Sequence, residues 1–250
     1  HICLGHRLLI HIGKPILFEW KSDGSRLHRK ELKTGDFCLQ AHGEPNAPRW
    51  NENLKMIAVA LDPKFVESVF RDLPSAVGIG FRERRCESDP LVTDFATRLL
   101  TEVQSSSYQG KLYGESLAMA FSLHLLERHG NLPRNLKMPT GKLSSAQMRR
   151  ALEFVHVHLS EDLSIEQIAA ESYLSPFHFA RLFRNTVGLT PHQFVLQSRI
   201  ERAKRMIRTA PYLSLTEIGL SVGFFDQAHF TKSFKRATGT TPKNFLRLAG

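Results

Sequence analysis

The stretch Ile218-Gly219-Leu220-Ser221-Val222-Gly223-Phe224-Phe225-Asp226-Gln227-Ala228-His229-Phe230-Thr231-Lys232-Ser233-Phe234-Lys235-Arg236 reads as helix, tight turn, helix. Ser214 ahead of it is a good N-cap, and Glu217 places a carboxylate in the first helical turn, where the helix dipole favours it. Gly223 to Asp226 forms the turn, and Asp226 starts the second helix. Phe230 and Phe234 fall on one stripe of that helix and point inward. Gly239 follows where a left-handed residue ends a helix. The other face, Gln227, Ala228, His229, Thr231, Lys232, Lys235 and Arg236, is polar and basic.

The same pattern occurs earlier in the chain. Leu163-Ser164-Ile165 recurs as Leu213-Ser214-Leu215, and Ile168 as Ile218, at an offset of 50. His178-Phe179 recurs as His229-Phe230, Phe183 as Phe234, Gly188 as Gly239, Thr190-Pro191 as Thr241-Pro242 and Phe194 as Phe245, at an offset of 51. One residue has entered between Phe224 and His229, in the turn. The first copy has its turn at Ser172 to Ser175, its second helix from Pro176, and Phe179, Leu182 and Phe183 inward. Its outer face carries Phe177, Ala180, Arg181, Arg184 and Asn185. A long helix over 191–209, with Arg199, Arg202, Lys204, Arg205 and Arg208, is expected to hold the two units at a fixed separation.

Charge agrees with an anionic partner. The chain of 250 residues has a net charge of +10. Residues 144–250 hold 14 Lys and Arg against 8 Asp and Glu, so +6 of that excess sits in the shorter, C-terminal part. A lone basic helix is most often a solvated face. Two matched helix-turn-helix units with basic outer faces instead fit the major groove of double-stranded DNA, ~12 Å wide. The two units are expected to enter successive major grooves, roughly 34 Å apart.

The first ~90 residues read as short strands and tight turns. Leu8-Leu9-Ile10, Ile16-Leu17-Phe18 and Met56 to Leu61 are apolar runs; Gly13-Lys14-Pro15, Ser22 to Ser25, Gly35-Asp36 and Gly43-Glu44-Pro45 are turn signals. A sandwich or small barrel is expected. Pro90 opens a helix with Leu91, Phe95, Leu99, Leu100 and Val103 at helical spacing, and Leu112 to Arg128 forms another, with Leu117, Phe121, Leu125 and Leu126 on one stripe. Phe81 to Glu87 reads as a solvated loop. Gly130 to Lys142 is Pro- and Gly-containing and aperiodic, hence a linker. The resulting division is a domain over 1–130, a linker over 131–143 and a helical domain over 144–250, with helix-turn-helix units at about 163–188 and 213–239.

Cys3, Cys38 and Cys86 form no Cys-x-x-Cys pair, so neither a zinc site nor a disulfide framework is indicated, and a reducing cytoplasm fits. No apolar run approaches the ~20 residues of a membrane span, so no membrane partner is expected. His1-Ile2-Cys3-Leu4 has neither an initiating Met nor the order of a signal peptide, as in a chain that begins inside a domain.

The C-terminal hundred residues resemble the AraC/XylS family of bacterial transcription regulators. The matching stretches are Ser164 to Ala169, Ser175 to Phe183 and Gly188 to Pro191, then Ile218-Gly219, Val222-Gly223-Phe224, His229 to Arg236, Gly239, Thr241-Pro242 and Phe245. Phe225 departs from the small polar residue usual in the family's turn. Lys232 replaces the commoner Arg, which favours phosphate contact over bidentate guanine reading. By position, the resemblance implies base contacts from Phe177, Ala180, Arg181, Gln227, Ala228, His229 and Lys232, and backbone contacts from Arg184, Lys235 and Arg236. Ala180 and Ala228 offer only methyl groups, for instance to thymine. The front part resembles, more loosely, the family's cupin-like sensor domain, over Gly35 to Pro45, the strand to Leu61-Asp62-Pro63, and Leu112 to Ala118. The implied fold is α+β: a cupin-like β-barrel with a helical hairpin, then an all-α domain with two helix-turn-helix units. The implied partners are promoter DNA, RNA polymerase, a small effector and a second copy of the chain, and activation is favoured over repression.

The chain's twelve histidines invite a metal reading, but the front half supports it only weakly. His6, His11, His28 and His42 lie there, but no His-x-His pair does; His156-Val157-His158 falls in the helical part, and the second cupin motif places Asn46 at its ligand position. No metal and no cofactor are therefore expected, and no nucleophile elbow or phosphate loop occurs. His11, Trp20, His42 and Trp50 are candidates for an effector pocket. Two other readings remain at this point: a cupin-type metal enzyme with an appended helical domain, and an architectural DNA binder without sequence preference.

Overall fold

Alternating apolar residues in short runs build strands whose inward faces meet. The structure, a computed structural model, describes residues 5–22, 26–41, 48–70, 81–104, 109–130 and 141–249. Strands β1 (His6–His11), β2 (Ile16–Ser22), β3 (Arg26–Leu32), β4 (Asp36–Gln40), β5 (Arg49–Trp50) and β6 (Met56–Leu61) precede helix α1 (Pro63–Phe70), strand β7 (Arg84–Ser88) and helices α2 (Pro90–Gln104) and α3 (Lys111–His129). The strands make two antiparallel sheets, β6-β1-β4-β7 and β3-β2-β5. Leu8 opposes Leu39, and Ile10 opposes both Phe37 and Ile57; all five are buried, so one face of the first sheet is the core face. Ile16, Phe18 and Leu32 of the second sheet pack with Cys38 and Cys86 of the first. A cluster shared by both sheets is what a sandwich or barrel requires. Among the described residues the strands do not close into a barrel.

Three expectations need correction. Residues 84–88 form β7 and not a solvated loop, because the apolar Cys86 is buried and pulls its neighbours into the sheet. The register shifts between Phe37 and Leu39, opposite β7, and Cys86 takes a left-handed backbone (φ 53°) there. Helix α1 went unread because the stretch is only two turns long. The buried stripe of α2 runs through Val92 and Ala96, one position after the expected one, and leaves Leu91 and Val103 exposed. The turn signals at 23–25 and 43–45, His42, Asn46, and residues 131–140 of the expected linker lie outside the described residues.

The described chain divides into two units. One comprises residues 1–101 and 119–137, the other 102–118 and 138–250. Within the second unit lie seven helices after residue 141: α4 (Ser145–Val157), α5 (Ile165–Glu171), α6 (Pro176–Val187), α7 (Pro191–Thr209), α8 (Leu215–Ser221), α9 (Gln227–Thr238) and α10 (Pro242–Ala249). The helix starts follow one rule. Ser144, Ser164, Thr190 and Ser214 each accept a bond from the N3 amide, while the N3 side chain, Gln147, Gln167, Gln193 or Glu217, bonds back. Ser175 and Asp226 cap α6 and α9. Gly188 and Gly239 end those helices with φ of 81° and 77°.

Helix α7 belongs to both repeats. Its Phe194 meets Phe183 edge-on, and its Ile200, Ala203 and Ile207 complete the core of the second copy with Ile218, Val222, Phe224, Phe230 and Phe234. Arg199, expected on the basic surface of this helix, is instead buried. Its guanidinium donates from Nε to Leu159 O at 2.9 Å and through a terminal nitrogen to Glu161 O at 2.6 Å. Burial draws Arg199 down from the usual guanidinium range, and Asp162 works in the other direction. Gly223, with φ 98°, fills the space left. A Cβ there would stand 2.6 Å from Leu159 O and 2.8 Å from Arg199 Nε.

Two predictions follow from this packing. Gly188→Ala, which meets open space, should cost about 1–2 kcal/mol for the left-handed backbone alone. Gly223→Ala should cost about 3 kcal/mol or more, because the clash adds to the strain; equal losses in urea unfolding of the whole chain would show that the Arg199 contact yields freely. The second concerns His192. Burial first, then Arg236, Arg199 and His229, push its pKa from 6.5 to about 4. The folded state therefore favours neutral His192, and the unfolded state binds the proton first. Stability from this group is complete above about 6.5 and is lost as pH falls towards about 4. His192→Gln should flatten the unfolding midpoint over that window, and an unchanged slope would contradict the assignment.

Candidate nucleic-acid interface

A helix that reads DNA must expose polar side chains while its other face is locked. Helices α6 and α9 meet both conditions. Phe179, Leu182 and Phe183 of α6, and Phe230, Ser233 and Phe234 of α9, are buried. Gly219 lets α8 approach so closely that a Cβ would sit 3.0 Å from the Phe230 ring. On the outer face of α9, Gln227, Ala228, Lys232, Lys235 and Arg236 are exposed. On α6, Arg184 is exposed, and Ala180 and Arg181 are half-buried. Asn185 donates to Gly141 O at 3.1 Å, so it ties α6 to the preceding segment.

Two of the candidates turn inward. Phe177 and His229 are each 5% exposed, which leaves little surface for a base edge. The His229 ring packs edge-on against Phe224 with centroids 5.2 Å apart, and its backbone N–H donates to Asp226 Oδ1 at 2.6 Å. Burial lowers the His229 pKa, Asp226 partly offsets it, and Arg199, Arg236 and Lys232 lower it further. The ring is thus held neutral as a packing element at the start of α9. His178, its counterpart in the repeat, is half-buried, and its backbone N–H is capped by Ser175 Oγ at 3.3 Å.

The second unit also contains the first turns of α3. Glu115 Oε2 accepts from Ile165 N at 2.8 Å, at the positive end of α5, and Asp162 Oδ1 accepts from Lys111 N at 2.8 Å. Burial raises the Glu115 pKa, against the Ile165 bond and Lys111, which lower it. Neither pairing was legible in the sequence, where about fifty positions separate the partners.

Among the effector candidates, His11 and Trp50 line one cavity of about 80 Å³, together with Leu9, Phe18, Cys38, Met56 and Arg85. Trp20 instead stacks on His28, with centroids 5.3 Å apart. His11 Nε2 lies 2.6 Å from Lys14 O; a carbonyl only accepts, so this nitrogen donates. His11 Nδ1 and Arg85 Nε are buried without a hydrogen-bond partner among the described residues. In the same unit the fold brings Asp89, His124 and His129 together, which no local spacing announced.

The helices, caps and basic outer faces define a helix-turn-helix DNA-binding domain, and comparison with known proteins agrees. Residues 168–248 match the helix-turn-helix domain family. Regulatory protein PocR of Salmonella typhimurium is 30% identical over 100 residues, 40% of this chain and 33% of that protein. The arabinose operon regulatory protein of Escherichia coli is 31% identical over 100 residues, 40% of this chain and 34% of that protein. An AraC-type transcriptional regulator from Chromobacterium violaceum, of known crystal structure, is 25% identical, with 42% of this chain and 92% of that one covered and a TM-score of 0.40. Over its C-terminal part the chain is thus similar to helix-turn-helix regulators that include the arabinose operon regulatory protein. The match spans about a third of the length of each of the two curated regulators.

Arg181→Ala should relax discrimination at one base pair, by about 1–3 kcal/mol between the preferred and the changed site. Arg184→Ala should weaken all duplexes alike and reduce the salt dependence. Titrations against matched and mismatched duplexes at fixed salt separate the two; a uniform loss for both would move the reading face elsewhere.

Proposed function

We propose that this chain is a sequence-specific transcription regulator that binds promoter DNA through α6 and α9. The observation that supports it most is the duplication itself: two capped, glycine-ended helices, each with its phenylalanines buried and its cations outward. Base contacts fall to Ala180, Arg181, Gln227, Ala228 and Lys232, and backbone contacts to Arg184, Lys235 and Arg236. Phe177 and His229 act from behind, as packing that sets the angle of each helix. On this reading the protein works in the cytoplasm, recruits RNA polymerase and activates more than it represses. Among the described residues no helix is long and apolar enough to cross a membrane.

The domain over 1–130 is proposed as a cupin-like effector-binding or dimerisation domain, joined through residues 131–143 to the DNA-binding domain over 144–250. Its cavity of about 80 Å³ is far below the roughly 300 Å³ of an ordinary ligand pocket, so the effector is small. Arg85 Nε calls for an acceptor on that molecule, and His11 Nδ1 offers a second polar contact; the remaining walls are largely apolar.

In-vitro selection from a random duplex pool with the whole chain, at physiological salt, tests the reading. Enrichment of two short motifs about one helical turn apart is expected. Tight binding without enrichment would make the protein an architectural binder, and no binding would refute the interface.

A further inference from the structure

Asp89 stands immediately before α2, and one of its carboxylate oxygens is spoken for: Oδ1 accepts from Leu91 N at 3.0 Å, as an N-cap does. The other oxygen faces two imidazoles from the end of α3. His124 Nε2 lies 2.8 Å from Asp89 Oδ2, and His129 Nε2 lies 3.2 Å from the same atom. All three ligand atoms lie within 4.8 Å of one another. The side chains are 13–14% exposed, so the group is screened by protein yet open to water at one side. Its walls are aromatic. Phe37 meets His129 edge-on at 5.0 Å, and Phe95 lies 6.1 Å from His124 while stacking on Phe121.

Two nitrogen atoms and one carboxylate oxygen are the donor set of an open zinc or iron(II) site. Tetrahedral bonds of about 2.0–2.1 Å place neighbouring ligand atoms roughly 3.3 Å apart. Two of the three edges here are already close to that length. The Leu91 amide fixes the carboxylate from its far oxygen, which is the outer support that orients a metal ligand.

We propose that Asp89, His124 and His129 bind a first-row divalent metal ion, with water in the remaining position. The ion staples the start of α2 to the end of α3. This stands apart from the DNA-binding reading and from the cavity at His11, and it assigns no reaction to the protein. No spacing motif in the sequence announces it.

The whole chain, stripped with a chelator, would be titrated with Zn²⁺ by calorimetry and with Co²⁺ by visible absorption. One equivalent of zinc, a low-symmetry cobalt spectrum and a zinc-dependent rise in unfolding temperature are expected. Asp89→Asn keeps a good helix cap, and His124→Gln keeps a donor towards Asp89, so both should fold. Each should weaken zinc binding by at least about tenfold, the scale of losing even an outer-shell partner. His156→Gln with His158→Gln should leave it unchanged. Absence of stoichiometric zinc binding by the unaltered chain would overturn the proposal. So would binding that survives Asp89→Asn and His124→Gln, or that is lost in the His156/His158 variant.

Discussion

The bonds from Arg199 to the carbonyls of Leu159 and Glu161 hold the DNA-binding unit in register. A buried guanidinium is costly unless its donors are satisfied. These carbonyls sit just beyond α4, where the helix runs out of amide partners and its negative dipole end lies. Arg199 therefore fastens the middle of α7 to the chain that enters the first helix-turn-helix unit. Gly223, in the turn of the second unit, closes over the same contact. One side chain thus touches the entry to one repeat and the turn of the other. The spacing between α6 and α9 follows from that, since α7 also lends Phe194 to one core and Ile200, Ala203 and Ile207 to the other.

The repeat was legible because its determinants are local. N-caps, first-turn carboxylates and glycine stops act within three or four residues, so a sequence displays them directly. Periodic phenylalanines mark the inner face just as plainly. Arg199 was not legible in the same way. On a helical wheel it joins Arg202, Arg205 and Arg208, and nothing in its neighbourhood says that two carbonyls forty residues earlier will receive it. Asp89, His124 and His129 were hidden for the same reason: their meeting is a product of the fold, whereas a metal motif is searched for by spacing.

The outer faces show a subtler limit. Periodicity separates inside from outside, but the boundary positions depend on the tilt of the helix. Phe177 and His229 sit at the first turn of α6 and α9, where the preceding turn still covers the helix, and both are buried. His229 lies beneath Phe224, a residue that the turn itself brings over it. β7 failed similarly. Four charges in Arg82 to Arg85 outweighed Cys86 in the sequence, whereas a single buried residue was enough to draw the strand onto the sheet's edge.

These positions also divide the labour within the DNA-binding unit. A residue that contacts a base gains nothing if its helix can roll, since a shift of about 1 Å removes a bidentate hydrogen bond. The inward residues supply that rigidity. Gly219 brings Phe230 against α8, Phe224 seats His229, and Asp226 caps the same turn. Neutral His229 suits this place: burial and the neighbouring cations, Arg199, Arg236 and Lys232, all disfavour its charge. The cationic surface that attracts DNA therefore also keeps the residue behind it uncharged, and recognition and packing at α9 rest on one electrostatic arrangement.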